Sequence, residues 1–502
     1  MGAHDLWLLS PQLAMAALAC TALVVDLATG RSKLVLWLSL IGLVIPAALS
    51  IALWAANPAD TLVFFGAASV DRFSLFFTLL FTGVAAAVIV SAEKYASRFQ
   101  EQRGEFVGLI LASTTGMMLL ASANELITIY VSLELTALPV AALLAFLRED
   151  RSAEAGMKFL ILSGVSSALL LYGLVFIFGF TGTTRLDEIF ARIGDLQASG
   201  GFDSTVPFGS YGLLLGIALA ISGFAFKLAA APFQMWVPDA YEGGPTPVVA
   251  FLSVASKAAG FAVVLRILYS AFGSPELAVE WSALFAVLAV VTMTLGNLMA
   301  LPQKNVKRLL GYSTISQAGF MLIGLAAVSA NTSAGSLVAG PQSVVFYLAG
   351  YAFTNLAVFL GVIAITNRTN DNTIAGFAGM GRRAPVTALL LAIGLISLLG
   401  LPPTVGFMSK IFVFNAAVNS GLAWLALAGV LNSVISAYYY LRVIRAMYME
   451  APTSDERITL DPSLGVATGI AAFGAVLFGV APWFLLRAAE IAVRSLSGVA
   501  GS

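Results

Sequence analysis

The sequence has very few of the residues that bind metals and redox groups. Among its 502 residues there is one cysteine, Cys20, and one histidine, His4. A single cysteine excludes an internal disulfide and a cysteine-ligated cluster. With one histidine, zinc sites and haem ligation are all but excluded. The phosphate-binding patterns GxxxxGK[ST] and GxGxxG are also missing, so we expect no cofactor in this chain.

Charged residues are scarce as well. They make up 10% of the chain, against 59% hydrophobic residues, and the mean hydropathy is +0.94. A soluble domain usually has about 25% charged residues. The 26 basic and 26 acidic residues cancel, so there is no basic surplus of the kind that nucleic-acid-binding proteins show. The composition predicts an all-α polytopic membrane protein that has the lipid bilayer as a partner and does not bind nucleic acid.

Long apolar runs predict about fourteen membrane-spanning helices, since one span needs about 20 apolar residues. The twelfth run is too long for one straight helix and contains Pro402-Pro403. No boundary suggests a second, soluble domain. The predicted spans are 6–28, 34–56, 70–92, 105–122, 124–147, 156–181, 208–231, 245–272, 280–301, 306–329, 341–366, 384–418, 421–447 and 463–486.

Loop charges predict the orientation in the membrane. Most odd-numbered loops are basic, with residues such as Lys33, Arg103, Arg148, Lys304, Arg382 and Arg445. Even-numbered loops are acidic or uncharged, except for Arg185 and Arg192, and the seventh loop has no basic residue. Basic loops face the cytoplasm, which predicts that both termini lie on the outer side of the inner (plasma) membrane. The hydrophilic connection 183–206 contains LDEIFARIGDLQ, whose helical spacing predicts a surface helix.

Four charged residues lie inside predicted spans: Glu134, Lys227, Lys257 and Lys410. A charge at mid-bilayer costs roughly 2.5–3.5 kcal/mol, and intramembrane charges usually mark ion pathways. A carboxyl and an ammonium group in lipid change each other's proton affinity, so movement of such a pair can switch its protonation. The four residues therefore predict a proton relay. The alternative is a set of polar packing contacts.

Two of the lysines lie beside prolines that interrupt a span. Pro232 follows Lys227, and Lys410 follows Pro402-Pro403. Proline removes a backbone donor and breaks a helix, and broken membrane helices line cavities or ion sites in transporters. The alternative for Lys227 is a side chain that extends to the interface. The two lysines are 183 residues apart in the sequence (410 minus 227). The segment SANELITIYVS resembles QKNVKRLLGYS at a similar offset of 181, which is the distance from Asn124 to Asn305. These offsets predict two inverted five-helix repeats.

Other polar residues have two possible roles each. Lys158 lies near a helix start, where it is either a less certain relay member or an interfacial anchor. Asp239 and Glu242 in the seventh loop form a proton entrance or are simply solvated. One polar run in the tenth span holds water or makes hydrogen-bonded packing contacts, and its members are Tyr312, Ser313, Thr314, Ser316 and Gln317.

Several segments resemble a known family. They are SLEL, GFAFKLAAAPFQMWVPDAYEGGPTPVVAFLSVASKAAGFA, NVKRLLGYSTISQAGF, GLPPTVGFMSK and SAYYYLRVIRAMYM. The chain resembles the antiporter-like membrane subunits of respiratory complex I, and most closely the subunit N family of NADH-quinone oxidoreductase. The resemblance implies fourteen helices, two inverted five-helix repeats and discontinuous helices 7 and 12. It also implies proton translocation coupled to quinone reduction elsewhere, with flavin, iron–sulfur clusters and quinone in partner subunits.

The resemblance also implies roles for individual residues. Glu134 matches the family's fifth-helix glutamate, and Lys227 the seventh-helix lysine that pairs with it. Lys257 matches the central lysine of the eighth helix, and Lys410 the twelfth-helix lysine near the exit. Lysine at 410 argues against subunit M, which has a glutamate in this helix. The partners implied are other membrane-arm subunits, including neighbouring antiporter-like subunits.

We therefore predict one transmembrane domain, residues 1–502, that couples quinone reduction to proton transfer through a Glu/Lys/water relay. Its predicted segments are 1–100, 104–272 (first repeat), 280–447 (second repeat) and 460–502. The first alternative is a subunit of a multisubunit cation/proton antiporter. Two others are a scaffold whose lysines only fix packing, and a solute carrier.

Overall fold

A computed structural model describes residues 2–30, 32–56, 61–95, 102–198, 209–328 and 339–496, apart from 453, 455 and 460. The predicted span limits at 208 and 329, and residues 199–206 of the predicted connection, lie outside the described residues. So do the predicted segment limits 1, 100, 460 and 502.

Fourteen membrane helices are present in the described part of the chain, as predicted. Thirteen spans are long and apolar enough to cross a membrane, and two shorter apolar helices complete the set as membrane helix 12. We number them 1–14 in chain order. Their bounds are Ser10–Thr29, Lys33–Ala56, Arg72–Tyr95, Arg103–Ser122, Leu126–Leu144, Asp150–Thr181, Gly209–Leu228, Thr246–Ser270, Pro275–Ala300, Val306–Ala326, Ala339–Thr369, Pro385–Leu399 with Val405–Asn419, Ala423–Met449 and Pro462–Val480.

Helices 7 and 12 are discontinuous, as predicted. The first part of helix 7 ends at Leu228, and a second part, Trp236–Gly243, follows the break. Asp239 and Glu242 therefore lie on a short helix, whereas the sequence predicted a loop for them. Helix 12 is interrupted between Leu399 and Val405.

Some smaller elements were not predicted. An antiparallel hairpin pairs Thr61–Val63 with Ala68–Val70, and a helix, Trp483–Arg494, follows membrane helix 14. Helix 2 consists of Ser32–Gly42 and Val44–Ala56, and a short helix, Ala3–Leu8, precedes helix 1. The predicted surface segment LDEIFARIGDLQ is confirmed as a helix, Leu186–Ala198.

Helices 8, 10 and 11 form the enclosed centre of the molecule. The most apolar stretch of helix 8 is entirely buried, and the corresponding stretches of helices 10 and 11 are 94% buried. The outer helices, such as helix 1 and helix 14, bury less than half of theirs. Polar side chains on the central helices are therefore shielded from lipid, where they must find partners inside the protein.

Backbone contacts between the segments that flank the membrane helices recur in the two halves of the chain. The Leu126 amide donates to the Thr184 carbonyl (2.9 Å), and the Val306 amide donates to the Asn372 carbonyl (2.7 Å). The donors have an offset of 180 in sequence number (306 minus 126), and the acceptors have a similar offset of 188 (372 minus 184). In each case the segment before one helix pairs with the segment that follows the next helix. This recurrence supports the predicted five-helix repeats, and the odd number of helices makes their inversion a continuing prediction.

Candidate functional site

The break in helix 12 creates hydrogen-bond acceptors inside the protein. In an uninterrupted helix the carbonyls of Leu398 and Leu399 would accept from residues 402 and 403, but both are prolines and have no N–H. The Leu399 carbonyl instead accepts from Lys410 Nζ (2.7 Å), and the Leu398 carbonyl from Gln317 Nε2 (2.9 Å). The double proline therefore explains how a buried ammonium and a buried amide find partners in this region.

Lys410 is buried, with 4% of its surface exposed. Its Nζ lies 4.5 Å from the centroid of the Phe320 ring, within the range of a cation–π contact. Gly400 has a left-handed conformation (φ 87°), and a Cβ there would lie 2.9 Å from Lys410 Cδ. Among the described residues Lys410 forms no ion pair. Its charge is therefore stabilised by a carbonyl and an aromatic ring.

Gln317 on helix 10 connects three elements. Its Nε2 donates to the Tyr440 hydroxyl (3.2 Å) as well as to Leu398, and its Oε1 accepts from the Tyr347 hydroxyl (2.5 Å). The Tyr440 hydroxyl also lies 2.5 Å from Ser313 Oγ. The polar run of helix 10 is thus a hydrogen-bonded network, and its hydroxyl groups can both donate and accept.

Lys257 lies at the centre of the molecule and is 3% exposed. A π-helical turn, Leu252–Ser256, immediately precedes it. Such turns are frequent at functional sites. Lys257 Nζ donates to the Thr314 carbonyl and lies 5.5 Å from the Tyr351 ring centroid. The Tyr351 hydroxyl is 3.0 Å from Thr314 Oγ1. Helix 10 therefore contacts Lys257 at Thr314 and reaches the Lys410 region through Gln317, about one helical turn away.

Glu134 and Lys227 lie close enough to interact electrostatically, but no hydrogen bond or ion pair joins them among the described residues. The Glu134 carboxylate accepts a hydrogen bond from Ser167 Oγ, and Lys227 Nζ has no hydrogen-bond partner among the described residues. A cavity of about 10 Å³ lies beside Lys227 and is lined by Ser163, Ser166 and Ser167. A cavity of about 10–15 Å³ is the smallest that holds a water molecule. The serine-rich face of helix 6 thus lies beside both residues.

Lys227 does not extend to an interface, since only 6% of its surface is exposed. Its stem crosses helix 8 at Gly260, where a Cβ would lie 3.0 Å from Lys227 Cγ. Gly260 is three residues after Lys257. Close packing at this glycine brings the Lys227 stem against the helix that carries the central lysine.

Lys158 lies apart from the buried lysines. Its side chain is 44% exposed and forms ion pairs with Glu154 (2.6 Å) and Asp239 (2.9 Å). Asp239 also pairs with Arg308 (2.9 Å), and Arg308 pairs with Glu242 (2.8 Å). These five residues lie at the end of the bundle that carries the odd-numbered loops. Asp239 and Glu242 are therefore ion-paired, and Lys158 belongs to this surface cluster.

Sequence reasoning missed the tyrosines Tyr347, Tyr351 and Tyr440. Each lies in an apolar run, where an aromatic residue is usually a packing residue, and only the structure shows where its hydroxyl points. The available signal was weak: three consecutive tyrosines in SAYYYLR place polar groups in a membrane helix. The missed hydroxyls lie in the region between Lys257 and Lys410, where the sequence has no histidine.

A second omission is a buried ion pair between Asp71 and Arg266. The guanidinium contacts both carboxylate oxygens (2.8 and 3.0 Å) and donates through Nε to the Ala121 carbonyl (2.9 Å). The two side chains are 0% and 3% exposed. Asp71 precedes helix 3 and Arg266 is near the end of helix 8. Because the two residues are far apart in the sequence, their pairing could not be predicted from it. The pair joins helix 8 to the first helices and has no contact with the lysines.

Comparison with known proteins agrees with this architecture. Residues 123–436 match the family described as "NADH:quinone oxidoreductase/Mrp antiporter, TM". A chain of respiratory complex I from Thermus thermophilus has a TM-score of 0.77 and 29% identity, with 95% of this chain and 98% of that chain covered. A chain of the Mrp complex from Dietzia has a TM-score of 0.84 but 19% identity, so it shows the fold alone. The chain thus has a membrane-subunit fold that respiratory and antiporter complexes share.

Curated relatives narrow the class. The NADH-quinone oxidoreductase subunit N of Dehalococcoides mccartyi is 41% identical over 97% of this chain and 99% of its own length. Subunit N of Trichlorobacter lovleyi is 38% identical over 98% of this chain and 97% of its own. Subunit N 2 of Sorangium cellulosum is 41% identical, with 94% of each chain covered. The chain belongs to the NADH-quinone oxidoreductase subunit N family.

Proposed function

We propose that this chain is a proton-translocating membrane-arm subunit of an NADH-quinone oxidoreductase. The observation that carries the proposal is the series of polar contacts between Lys257 and Lys410. Lys257 donates to the Thr314 carbonyl of helix 10. Gln317, one turn further along that helix, donates to the Leu398 carbonyl, and Lys410 donates to the adjacent Leu399 carbonyl. Polar groups enclosed in membrane helices are costly, and they mark ion pathways.

The relay begins at Glu134 and Lys227, passes to Lys257 and ends at Lys410. Ser167 and the small cavity beside it mediate the first step, because the carboxylate and the ammonium are not in contact. A proton that arrives near Lys227 raises the local positive charge and favours release from the next lysine. Hydroxyl and amide groups, together with water, transmit the proton between Lys257 and Lys410.

The energies are compatible with this scheme. Moving one charge against 100 mV costs about 2.3 kcal/mol. A hydrogen bond to a charged group contributes about 1.5–3 kcal/mol, so exchanging the acceptor of one buried lysine changes the energy by a similar amount. Rearrangement at one lysine is therefore of the right size to move one proton.

We further propose that the protein lies in the inner (plasma) membrane with both termini on the outer side. The basic odd-numbered loops support this orientation. The partners are the other membrane-arm subunits, including neighbouring antiporter-like subunits. Flavin, iron–sulfur clusters and quinone are bound by other subunits of the complex, because this chain carries neither cysteine clusters nor nucleotide motifs.

The test is proton uptake by vesicles that contain the assembled complex with Lys227→Ala. Quinone reduction and the pH gradient are measured together. We expect both to fall by at least about tenfold, since loss of a positioned proton carrier costs about 10²–10⁴ in rate. Lys304→Ala, which removes a lysine from a loop on the surface of the chain, is the matched control and keeps normal rates. Full pumping by Lys227→Ala would disprove the relay.

The antiporter alternative shares this fold. The matched family description names both classes, and a chain of an Mrp complex shares the fold, whereas the subunit N relatives match almost the whole chain at about 40% identity. Co-purification separates the two: a subunit N assembles with a flavin- and cluster-bearing arm, and an antiporter subunit does not. A scaffold role predicts normal pumping after replacement of Lys227, Lys257 and Lys410 together.

A further inference from the structure

The two broken helices align in a register that differs from the one predicted from the lysines. The first residue after each half-helix is left-handed: Ala229 (φ 60°) in helix 7 and Gly400 (φ 87°) in helix 12. These positions have an offset of 171 in sequence number (400 minus 229). The amide of the next residue bonds to a carbonyl five residues earlier in both breaks, Ala230 to Ala225 (2.8 Å) and Leu401 to Ile396 (3.3 Å).

Glycine packing gives the same register independently. Helix 7 approaches helix 6 at Gly223, where a Cβ would lie 2.5 Å from Leu170 Cβ. Helix 12 approaches helix 11 at Gly394, where a Cβ would lie 2.6 Å from Val358 Cγ2. The two glycines again have an offset of 171 (394 minus 223). The residues that they contact have an offset of 188 (358 minus 170), the same as that of the Thr184 and Asn372 acceptors.

In this register Lys410 corresponds to Asp239 (410 minus 171), and Lys227 corresponds to Leu398. The spacing of the two lysines therefore does not relate equivalent positions, because one lysine precedes its break and the other follows it. The residue that occupies the place of Lys410 in the first repeat is an acid, and it lies at the opposite end of the bundle if the repeats are inverted.

Asp239 lines two cavities. The first, of about 230 Å³, is lined by charged side chains that include Lys158, Glu154 and Glu242. The second, of about 250 Å³, is lined by helix 10 at Tyr312 and Ile315 and by the exposed side chains of Met235 and Met299, so it also opens to the surface of the chain. Arg308 lines both cavities as well.

Helix 10 also carries the acceptor of Lys257, the Thr314 carbonyl. Because Tyr312 and Ile315 flank it in sequence, the second cavity reaches helix 10 within about 3 Å of that level along the axis. The Asp239–Arg308 ion pair thus lines both a charged cleft and a cavity that extends to the depth of the central lysine.

We propose that the Asp239–Arg308 ion pair is the gate of the cytoplasmic proton entrance, the counterpart in the first repeat of Lys410 at the exit. This inference rests on the proposed function and on its orientation. Asp239 attracts protons to the passage, and Arg308 repels them until the pair separates. The charged groups on the elements packed around Asp239 are Arg151, Glu154 and Lys158 of helix 6, Lys307 and Arg308 of helix 10, and Glu242 of the same half-helix.

Removing the negative charge of the gate and removing its positive charge should shift the pH dependence of turnover in opposite directions. A charge-lined cleft raises the arrival rate of an oppositely charged ion by about 10–10³. In Asp239→Asn the proton supply falls, so turnover drops about tenfold at mildly alkaline pH and recovers when the cytoplasmic side is acidified. In Arg308→Gln the barrier to protons is lower, so the alkaline limb of the pH–rate curve moves to higher pH.

The assay uses vesicles with the cytoplasmic face outward, which contain the assembled complex, and measures coupled quinone reduction across a range of external pH. The control is Glu490→Gln, which removes a carboxylate ion-paired with Arg494 (2.5 Å) on the helix that follows membrane helix 14. Its curve should coincide with that of the unmodified complex. The amount of assembled complex is measured in parallel, and if Asp239→Asn does not assemble, the shift in Arg308→Gln decides.

A pH-dependent loss in Asp239→Asn, with the opposite shift in Arg308→Gln, supports the gate. Normal turnover in Asp239→Asn, or a loss that is equal at every pH, refutes it and leaves only a structural role. Lys227→Ala in the same preparation separates the two proposals. If Lys227→Ala is inactive and Asp239→Asn is normal, only the gate fails; if Lys227→Ala pumps normally, the relay itself fails.

Discussion

Replacement of Gln317 by leucine tests whether the network between Lys257 and Lys410 conducts protons or only holds helices together. Gln317 is 2% exposed and makes three side-chain hydrogen bonds, to Leu398, Tyr440 and Tyr347. Leucine has a similar volume but cannot donate or accept. The substitution therefore interrupts the only hydrogen-bonded link found between helix 10 and the freed carbonyls of helix 12 among the described residues.

The structural and kinetic effects have different magnitudes. Hydrogen bonds between membrane helices contribute about 0.6 kcal/mol each, so losing three destabilises the fold by about 2 kcal/mol. Interruption of a proton path costs at least about 100-fold in rate. That loss is equivalent to about 2.7 kcal/mol in the barrier. A scaffold role gives the first effect without the second.

Asn432→Leu is the matched control for this substitution. Asn432 is 5% exposed, and its side chain forms hydrogen bonds with Asn297, Thr294 and the Ala428 carbonyl, but not with the lysine network. Both variants should lower the thermal midpoint of the assembled complex to a similar extent. Only Gln317→Leu should lower proton pumping per assembled complex.

Gln317→His serves as the rescue variant, because an imidazole can donate and accept and titrates near neutral pH. It should recover a large part of the pumping rate. The interpretation is refuted if Gln317→Leu pumps as fast as Asn432→Leu. Equal losses in all three variants would show instead that the network has only a packing role.

Two further substitutions test the contacts around the site. Gly400→Ala places a Cβ 2.9 Å from Lys410 Cδ, whereas Gly421→Ala, at a similar φ of 79°, has no atom within 4 Å. Both incur left-handed strain of about 1–2 kcal/mol, but only Gly400→Ala should lower pumping, by about tenfold or more; equal rates would disprove contact control of Lys410. Asp71→Asn leaves Arg266 without its carboxylate and should destabilise the complex by about 3 kcal/mol. Thermal inactivation measures this loss, and unchanged stability would contradict it.

Much of the architecture could be predicted from the sequence because apolar runs and prolines act locally. The fourteen spans and both interruptions follow from hydropathy and from Pro232, Pro402 and Pro403. The buried positions of Lys257 and Lys410 follow from the same runs. A charge within a long apolar run must lie in the interior whatever its neighbours are.

The partners of these residues could not be predicted in the same way. Glu134 bonds to Ser167 on helix 6, and Lys257 bonds to a backbone carbonyl of helix 10. Such contacts depend on the rotation of each helix about its axis, which apolar runs in a nearly uniform apolar sequence leave undetermined. The Asp71–Arg266 pair is a clear case, because its members are far apart in the sequence: Asp71 precedes helix 3 and Arg266 lies on helix 8.

The repeat register gives the proposed relay a direction. The contact of Gly116 with Thr136 recurs in the second repeat as the contact of Gly296 with Ser316, and both residues have the same offset of 180. In this register Glu134 corresponds to Thr314.

Asp239 and Lys410 also occupy equivalent positions. The first repeat therefore has acids at two positions where the second has a hydroxyl and an ammonium group. Acids at the entrance raise the local proton concentration. A protonated lysine at the exit repels the next proton, and it releases its own to water more readily than a carboxylate-paired lysine would. Two repeats with acids at these places in the first, and a hydroxyl and an ammonium group at the equivalent places in the second, would therefore favour proton movement from the first repeat to the second.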